Sequence, residues 1–317
     1  MSILINIPGR PLDKLITRLK QDIPEHEIEV WPNVNNPDAV EFALVWKHQH
    51  GSLNAYKNLK AISSFGAGVD SIISDPDLPN VPIARIVDPD LAINMAQYVL
   101  TMVQHHKLRL NQFNQQQKEC IWKPKSARKG NNVGILGLGQ LGAKTAKVLL
   151  SAGFDVSGWS RSLKKINNVN CYAGDNGFNT VVSEADYLVC LLPLTDKTEN
   201  ILNAAVFSKM KSTAVLINVA RGEHVVDEDL IAALAPTKEQ AHHLQTQQQI
   251  DFAYLDVFRQ EPLPEQHPFW QSDKIQITPH ISAVTNVETA VSQIVENYFL
   301  QKKGLELKNL IDRRSAY

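Results

Sequence analysis

The sequence predicts an α/β protein built on two doubly wound parallel sheets. Three observations support this. Short apolar segments of strand-like composition alternate along the chain with segments whose apolar residues recur at helical spacing, the pattern of βαβ units. A glycine run, Gly137-x-Gly139-x-x-Gly142 within Asn132–Gly142 (NVGILGLGQLG), falls between one such strand and one such helix. The run sits near the middle of 317 residues, so the stretch before it is long enough to fold around a sheet of its own.

Taken in order, Ile3–Ile7, Ile28–Trp31, Phe42–Trp46, Ala61–Ser64 and Pro82–Ile86 read as short strands, with helical stretches such as Leu12–Lys20 between them. Met1–Arg10 has too short an apolar stretch for a secretory signal and reads as the first strand. Asn94–Gln115 is a long helical pattern that carries the chain into the second domain. There Val133–Leu136, Asp155–Trp159, Tyr187–Leu191, Ala214–Asn218, Phe252–Leu255 and Ile275–Ile277 read as strands. A last helix, Val287–Gln301, is long enough to return the C-terminus to the first domain. The expected division is 1–98 with 284–317 as one discontinuous domain and 99–283 as the other. A cleft is expected between these two Rossmann-like domains.

The glycine run fits a dinucleotide-binding turn. Gly137 permits the tight turn, Gly139 lets the backbone approach a pyrophosphate, and Gly142 lets the helix pack on the strand. Gln140 and Leu141 open the helix, whose first N–H groups then face the phosphates. A ligand-free glycine-rich turn is the alternative. The cofactor's type is read one strand later. Where an NAD site carries an Asp or Glu after the second strand, this chain has Ser160, Arg161 and Ser162, with Lys164 and Lys165 close by. A guanidinium pairs with a 2′-phosphate and serines can donate to it, so NADPH is expected, with NADH as the weaker alternative. A merely solvated basic surface is the plainer reading of the same residues.

Three strand ends carry the candidate chemistry. Leu216–Gly222 (LINVARG) ends with Arg221, Tyr254–Pro262 (YLDVFRQEP) brings Asp256 and Glu261, and Ile277–Ile281 (ITPHI) brings His280. In an open parallel sheet the ligand crevice lies beyond the carboxyl ends of the strands, so these residues are expected to converge. An Arg, a carboxylate and a His suit hydride transfer to a 2-oxo acid. The guanidinium pairs with the carboxylate and polarises the keto oxygen. His280 donates the proton that must follow, with Glu261 on its other nitrogen to fix the tautomer. Each residue also has a structural reading: Arg221 as a helix-entry ion pair, Asp256 as a strand-end cap, His280 as a turn residue after Pro279.

Composition excludes several other classes. Lys+Arg is 32 against Asp+Glu 33, which gives no electrostatic case for nucleic acid or an anionic membrane. No apolar run approaches bilayer length. Cys120, Cys171 and Cys190 are odd in number and widely spaced, which suggests reduced thiols in a cytoplasmic protein, with no disulfide framework and no metal site. Cys190, inside a strand, reads as core. The one biased stretch, the Gln/His-rich segment within 236–250, reads as an exposed insertion. Adjacent His242 and His243 there lack the acids or cysteines of a metal site.

Phe65–Asp70 (FGAGVD), GLGQLG, LLPLTDKTENIL, INVARG, LDVFRQEPLP and TPHISAVT occur in this order over nearly the whole chain. Together they resemble the D-isomer-specific 2-hydroxyacid dehydrogenases, and within that family the branch that reduces glyoxylate and hydroxypyruvate. The resemblance implies that Arg221 binds and polarises the substrate, Glu261 is the partner acid and His280 the acid/base. It implies that Gly66, Ala67 and Gly68 hold the substrate carboxylate on backbone N–H groups, an ordinary glycine-rich turn being the alternative. It assigns the first domain to the substrate and the second to NADP, with cofactor contacts from Leu192, Pro193, Thr198, Val219, Ala220, Asp256 and His280. Trp46 matches a pocket-floor tryptophan and Trp122 an aromatic that reaches a neighbouring subunit, ordinary packing being the other reading of both. Gln97 departs from the Glu of many relatives, which bears on the hinge rather than on the reaction. The implied protein is a homodimeric, NADPH-dependent reductase of small 2-oxo acids. A phosphoglycerate- or lactate-type dehydrogenase, or a dinucleotide-sensing protein like the corepressors of this fold, is the alternative.

Overall fold

The structure, a computed structural model, describes residues 1–234 and 250–313. Nearly all of the Gln/His-rich segment, with His242 and His243, lies outside the described residues. The chain divides into two compact units, 1–91 with 285–317, and 92–284.

In the first unit, β1 (Ser2–Asn6), α1 (Asp13–Leu19), β2 (Ile28–Val30), β3 (Val40–Val45), β4 (Ala61–Ser64), α2 (Asp70–Ile73) and β5 (Ile83–Ala84) build a five-stranded sheet in the order β2-β1-β3-β4-β5. Every strand pair is parallel. Strand residues alternate between two apolar layers, as a sheet covered on both faces requires. Ile3, Ile5, Phe42 and Leu44 face one layer, and Leu4, Ala43, Val45 and Ile62 the other. The C-terminal helix Val287–Lys302 returns to this unit and buries Ala290, Val291, Ile294 and Tyr298 in the first layer. Tyr298 meets Phe42 edge-on at 5.9 Å.

The second unit begins within α3 (Pro89–Lys107) and continues through α4 (Leu110–Lys118), β6 (Asn132–Leu136), α5 (Gln140–Ser151), β7 (Asp155–Trp159), β8 (Asn170–Tyr172), α6 (Gly174–Glu184), β9 (Tyr187–Cys190), α7 (Ala204–Phe207), β10 (Val215–Asn218), α8 (Asp227–Leu234), β11 (Phe252–Leu255) and β12 (Ile275–Ile277). Its seven-stranded sheet runs β12-β11-β10-β9-β6-β7-β8, again parallel throughout. The order reverses direction at β6, which puts the crevice of an open α/β sheet at the carboxyl ends of β6 and its neighbour β9. Leu188, Cys190, Leu216 and Leu255 face one layer, and Val133, Ile135, Val189, Ile217 and Tyr254 the other. Both sheets therefore have the doubly wound character read from the sequence.

Three details differ from the sequence reading. The crossover pattern expected over 94–115 is two helices, α3 and α4. Between them Arg109 takes a left-handed conformation (φ 60°) and its Nε donates to the Ser126 carbonyl at 2.8 Å. Second, α3 starts earlier than Asn94, because Asp88 caps the Asp90 N–H at 2.9 Å and Pro89 suits the first turn. The unit boundary consequently falls in that first turn, between Leu91 and Ala92, and not at residue 98. Third, β8 is an edge strand of three residues, two of them partly exposed, too short and too polar to show a strand pattern.

Candidate active site

The glycine turn follows β6 directly. Gly137 has φ 106°, and a Cβ there would lie 2.5 Å from the Leu191 carbonyl oxygen. A Cβ on Gly142 would lie 1.8 Å from the Gly137 carbonyl oxygen, so only glycine lets α5 start this close to the turn. At Gly139 a Cβ would meet nothing within 4 Å. Gly139 is also the N-cap residue of α5, and no side chain caps the helix. The turn thus has an open approach in front of first-turn N–H groups, a cradle that fits a pyrophosphate. After β7, Arg161 and Ser162 are exposed, as are Lys164 and Lys165. The Ser160 hydroxyl donates to the Ser162 carbonyl at 2.9 Å, across the turn that carries Arg161.

The arginine, acid and histidine segments are laced together within the second unit. His280 Nδ1 lies 2.9 and 3.1 Å from the two Glu261 carboxylate oxygens, with both side chains partly exposed. The Phe258 N–H donates to Glu261 Oε1 at 3.2 Å. His280 itself sits at φ 55°, which disfavours a non-glycine residue by about 1–2 kcal/mol, so the surroundings must hold it there. Fully buried Asp256 does this. Its carbonyl accepts the His280 N–H at 2.8 Å, and its carboxylate accepts from Thr278 Oγ1 (2.6 Å), Ile281 N–H (2.9 Å) and Ser282 N–H (2.8 Å). Thr278 Oγ1 in turn lies 2.5 Å from the Tyr98 hydroxyl of α3; burial pushes that hydroxyl up to about 12, so it stays protonated and donates. Asp256 in this structure organises the histidine loop, in line with the cap reading of that residue.

Arg221 follows β10 in extended backbone, half-buried, with its guanidinium Nη1 donating to the Ala220 carbonyl at 2.6 Å. Two fully buried side chains fix its peptide groups: Asn218 Nδ2 donates to the Arg221 carbonyl (2.8 Å), and His224 Nδ1 accepts the Arg221 N–H (3.2 Å). Next to it, a Cβ on Gly222 would fall 1.9 Å from the Phe258 carbonyl carbon and 2.2 Å from the Arg259 nitrogen. Backbone packed on backbone therefore joins the arginine loop to the segment that leads to Glu261. Arg259 reinforces the joint, its Nε donating to the Val225 carbonyl at 2.9 Å. Val219 and Ala220, which precede Arg221, are buried, as is Leu192 beside Pro193, and Thr198 Oγ1 donates to the Pro193 carbonyl at 2.6 Å.

In the first unit, Trp46 and the Gly66 turn meet. A Cβ on Gly66 would lie 2.3 Å from the Trp46 ring, so the indole rests directly on the glycine. Ser64 Oγ accepts the Gly66 N–H at 3.2 Å and donates to the Gly68 carbonyl at 2.8 Å. An anion at this turn would therefore rely on Ala67 and Gly68 rather than Gly66. Arg10 lies over the Trp46 ring at 5.5 Å.

Sequence reading did not single out Asn218, His224, Arg259 or Tyr98. The first three stand inside or two residues beyond INVARG and LDVFRQEPLP, where polar residues next to the candidate arginine and acid were the available signal; Tyr98 carries no local signal. Cys190 is fully buried and burial pushes its thiol up to about 12, as fits a core residue. Among the described residues no group of three or more His, Cys, Asp or Glu side chains could hold a metal ion, and no helix is long and apolar enough to cross a membrane.

A doubly wound sheet with a dinucleotide turn at its switch point, and an arginine, an acid–histidine pair and their braces on one set of loops, defines an NAD(P)-dependent oxidoreductase. Residues 100–282 match the family model of the D-isomer specific 2-hydroxyacid dehydrogenase NAD-binding domain. The chain belongs to the D-isomer specific 2-hydroxyacid dehydrogenase family. It is 34% identical to glyoxylate/hydroxypyruvate reductase A of Yersinia enterocolitica, each chain covered in full. It superposes on a family member from Xanthobacter autotrophicus, solved with NADPH and MES, with a TM-score of 0.89 at 34% identity, covering 100% of this chain and 99% of the other. An NADPH-dependent glyoxylate/hydroxypyruvate reductase from Sinorhizobium meliloti, solved with NADP and sulfate, gives a TM-score of 0.88 at 29% identity with both chains covered in full.

Proposed function

We propose that this enzyme reduces small 2-oxo acids with NADPH, glyoxylate to glycolate and hydroxypyruvate to D-glycerate being the favoured reactions. The observation that carries the reading is the His280–Glu261 pair, held beside the arginine loop by the Gly222 joint. The Gly137–Gly142 cradle and exposed Arg161 are the residues that would hold NADPH. When bound, that cofactor supplies a hydride to the carbonyl carbon. Arg221 pairs with the substrate carboxylate and keto oxygen and stabilises the negative charge that grows on that oxygen. Glu261 accepts the Nδ1–H of His280, which directs the Nε2 proton to the same oxygen. The N–H groups of Ala67 and Gly68 are assigned to the substrate carboxylate and Trp46 to the pocket floor. The name of the Yersinia relative and the ligands of the Xanthobacter and Sinorhizobium structures support the substrate and cofactor parts of this reading.

The protein is further read as a cytoplasmic homodimer, with Trp122, 98% exposed, available to a neighbouring subunit. The functional reading is tested by steady-state turnover of glyoxylate, hydroxypyruvate, pyruvate and 3-phosphohydroxypyruvate against NADPH and NADH. The highest kcat/KM is expected with the first two acids and NADPH. A preference for the phosphorylated acid or for NADH overturns the substrate or cofactor assignment respectively, and no turnover of any acid overturns the enzyme reading.

A further inference from the structure

We infer that His224 is a positioning residue that couples the substrate arginine to the loop Pro193–Thr198. The proposal deepens the functional reading above, since it takes Arg221 as the substrate-binding group. His224 is fully buried, and its two ring nitrogens point to different segments. Nδ1 lies 3.2 Å from the Arg221 N–H and 3.1 Å from the Arg221 carbonyl oxygen; Nε2 lies 3.3 Å from the Pro193 carbonyl oxygen. Of the two neutral tautomers only the one with its proton on Nε2 bonds both segments, donating to the Pro193 carbonyl; a proton on Nδ1 would serve the Arg221 carbonyl and turn a bare Nε2 to Pro193. Nδ1 of the neutral ring is then an acceptor, and its partner is the Arg221 N–H. One tautomer thus satisfies both segments.

The two segments it joins are otherwise held by backbone bonds and by Arg259, whose Nη2 donates to Asn200 Oδ1 and to the Val225 carbonyl. Leu202 N–H donates to the His224 carbonyl (2.8 Å), Val226 N–H to the Leu202 carbonyl (3.0 Å), and Asn200 N–H to the Glu223 carbonyl (2.9 Å). Those bonds end at Asn200, seven residues beyond Pro193 in the chain. Between them, Thr198 Oγ1 ties the turn back to the Pro193 carbonyl at 2.6 Å, so that oxygen is where the turn and the imidazole meet. The arginine backbone is clamped on its other side by Asn218 Nδ2. His224 therefore sets the direction in which the Arg221 peptide presents its side chain and, through the same ring, the position of the 193–198 turn. It touches neither substrate nor cofactor in this scheme.

Two isosteric substitutions separate the halves of the ring. Asn places a carboxamide oxygen where Nδ1 stands and reaches no further, so His224→Asn keeps the acceptor for Arg221 and drops the donor to Pro193. Gln places its amide nitrogen where Nε2 stands, so His224→Gln keeps the donor and drops the acceptor. NADPH affinity is read by the change in nicotinamide fluorescence on binding, without turnover, and 2-oxo acid KM and kcat are read at saturating NADPH. Each lost bond is expected to change its own readout about 3- to 10-fold. His224→Asn weakens NADPH binding and leaves substrate KM and kcat near wild type; His224→Gln raises substrate KM, lowers kcat, and leaves NADPH binding near wild type. Equal losses in both readouts that track a fall in Tm make His224 a general fold residue and overturn the proposal, as do two silent variants. Wild-type protein that turns over no 2-oxo acid defeats the functional reading instead, and the fluorescence arm still tests the link to Pro193.

Discussion

Two histidine–carboxylate pairs, one in each unit, have nearly the same geometry and opposite surroundings. His48 Nε2 lies 3.0 Å from Asp75 Oδ2 with both side chains fully buried, whereas His280 Nδ1 lies 2.9 Å from Glu261 with the two side chains 31% and 20% exposed. Asp75 also accepts the N–H groups of Gly51 and Asp77, which pins the loop after β3. In the first pair burial holds the His48 ring below its usual range. Burial would raise the Asp75 carboxyl, but the donors from Gly51, Asp77 and His48 outweigh it and hold the carboxyl low. Distance alone does not separate a structural pair from an acid–base pair. A group that moves protons needs its second nitrogen within reach of a reactant, and the sealed pair of the first unit lacks that access.

The largest expected effect tests the open pair. His280→Ala is expected to lower kcat about 10²–10⁴-fold with little change in NADPH affinity or Tm, because a general acid acts in the transition state. Near-normal turnover in the variant would erase the distinction between the two pairs. An intermediate effect is expected at the exposed cofactor loop, where Arg161→Ala raises the KM for NADPH about tenfold and leaves that for NADH within about twofold. Parallel changes for both cofactors would remove Arg161 from the 2′-phosphate.

The smallest effect on turnover belongs to the sealed pair. Asp75→Asn is expected to lower stability by about 1–3 kcal/mol in thermal or urea unfolding while kcat at 25 °C stays near wild type. Both groups of this pair are shifted down from ordinary values of 6.5 and 3.8. Their contribution is therefore present above those values and is lost as pH falls, first through the imidazole range and then through the carboxylate range. Wild-type unfolding followed against pH should show a decline below about pH 6.5; Asp75→Asn is expected to deepen the part in the imidazole range, because Asp75 is what holds the His48 pKa up against burial, and to abolish the part in the carboxylate range. An unchanged profile, or a large loss of kcat, would mean that the buried pair has been misjudged.

Sheet order and glycine geometry were legible because parallel strands buried on both faces read as apolar runs, and because Gly137 and Gly142 are demanded by contacts shorter than any side chain allows. Arg221, Glu261 and His280 were legible through the rule that ligands gather at strand carboxyl ends. The braces were not. Asp256 accepts from a threonine and two N–H groups that lie 22 to 26 residues away in sequence, and His224 bridges 31 residues to Pro193. Such partners depend on how loops meet in space, which no local spacing records. The break between α3 and α4 was equally silent, since it turns on a left-handed Arg109 with neither Gly nor Pro to announce it.

The contact at Gly222 also bears on how this scaffold can change its chemistry. A methyl group there would collide with the Phe258–Arg259 backbone, and both sides of the contact are main chain, so no rotamer change relieves it. Even Gly222→Ala would force the loop bearing the guanidinium away from the loop bearing the acid. Selection or redesign for a bulkier or differently charged substrate is thereby steered away from that seam. Main chain packed on main chain leaves the seam no slack, so changes in substrate scope must be written elsewhere.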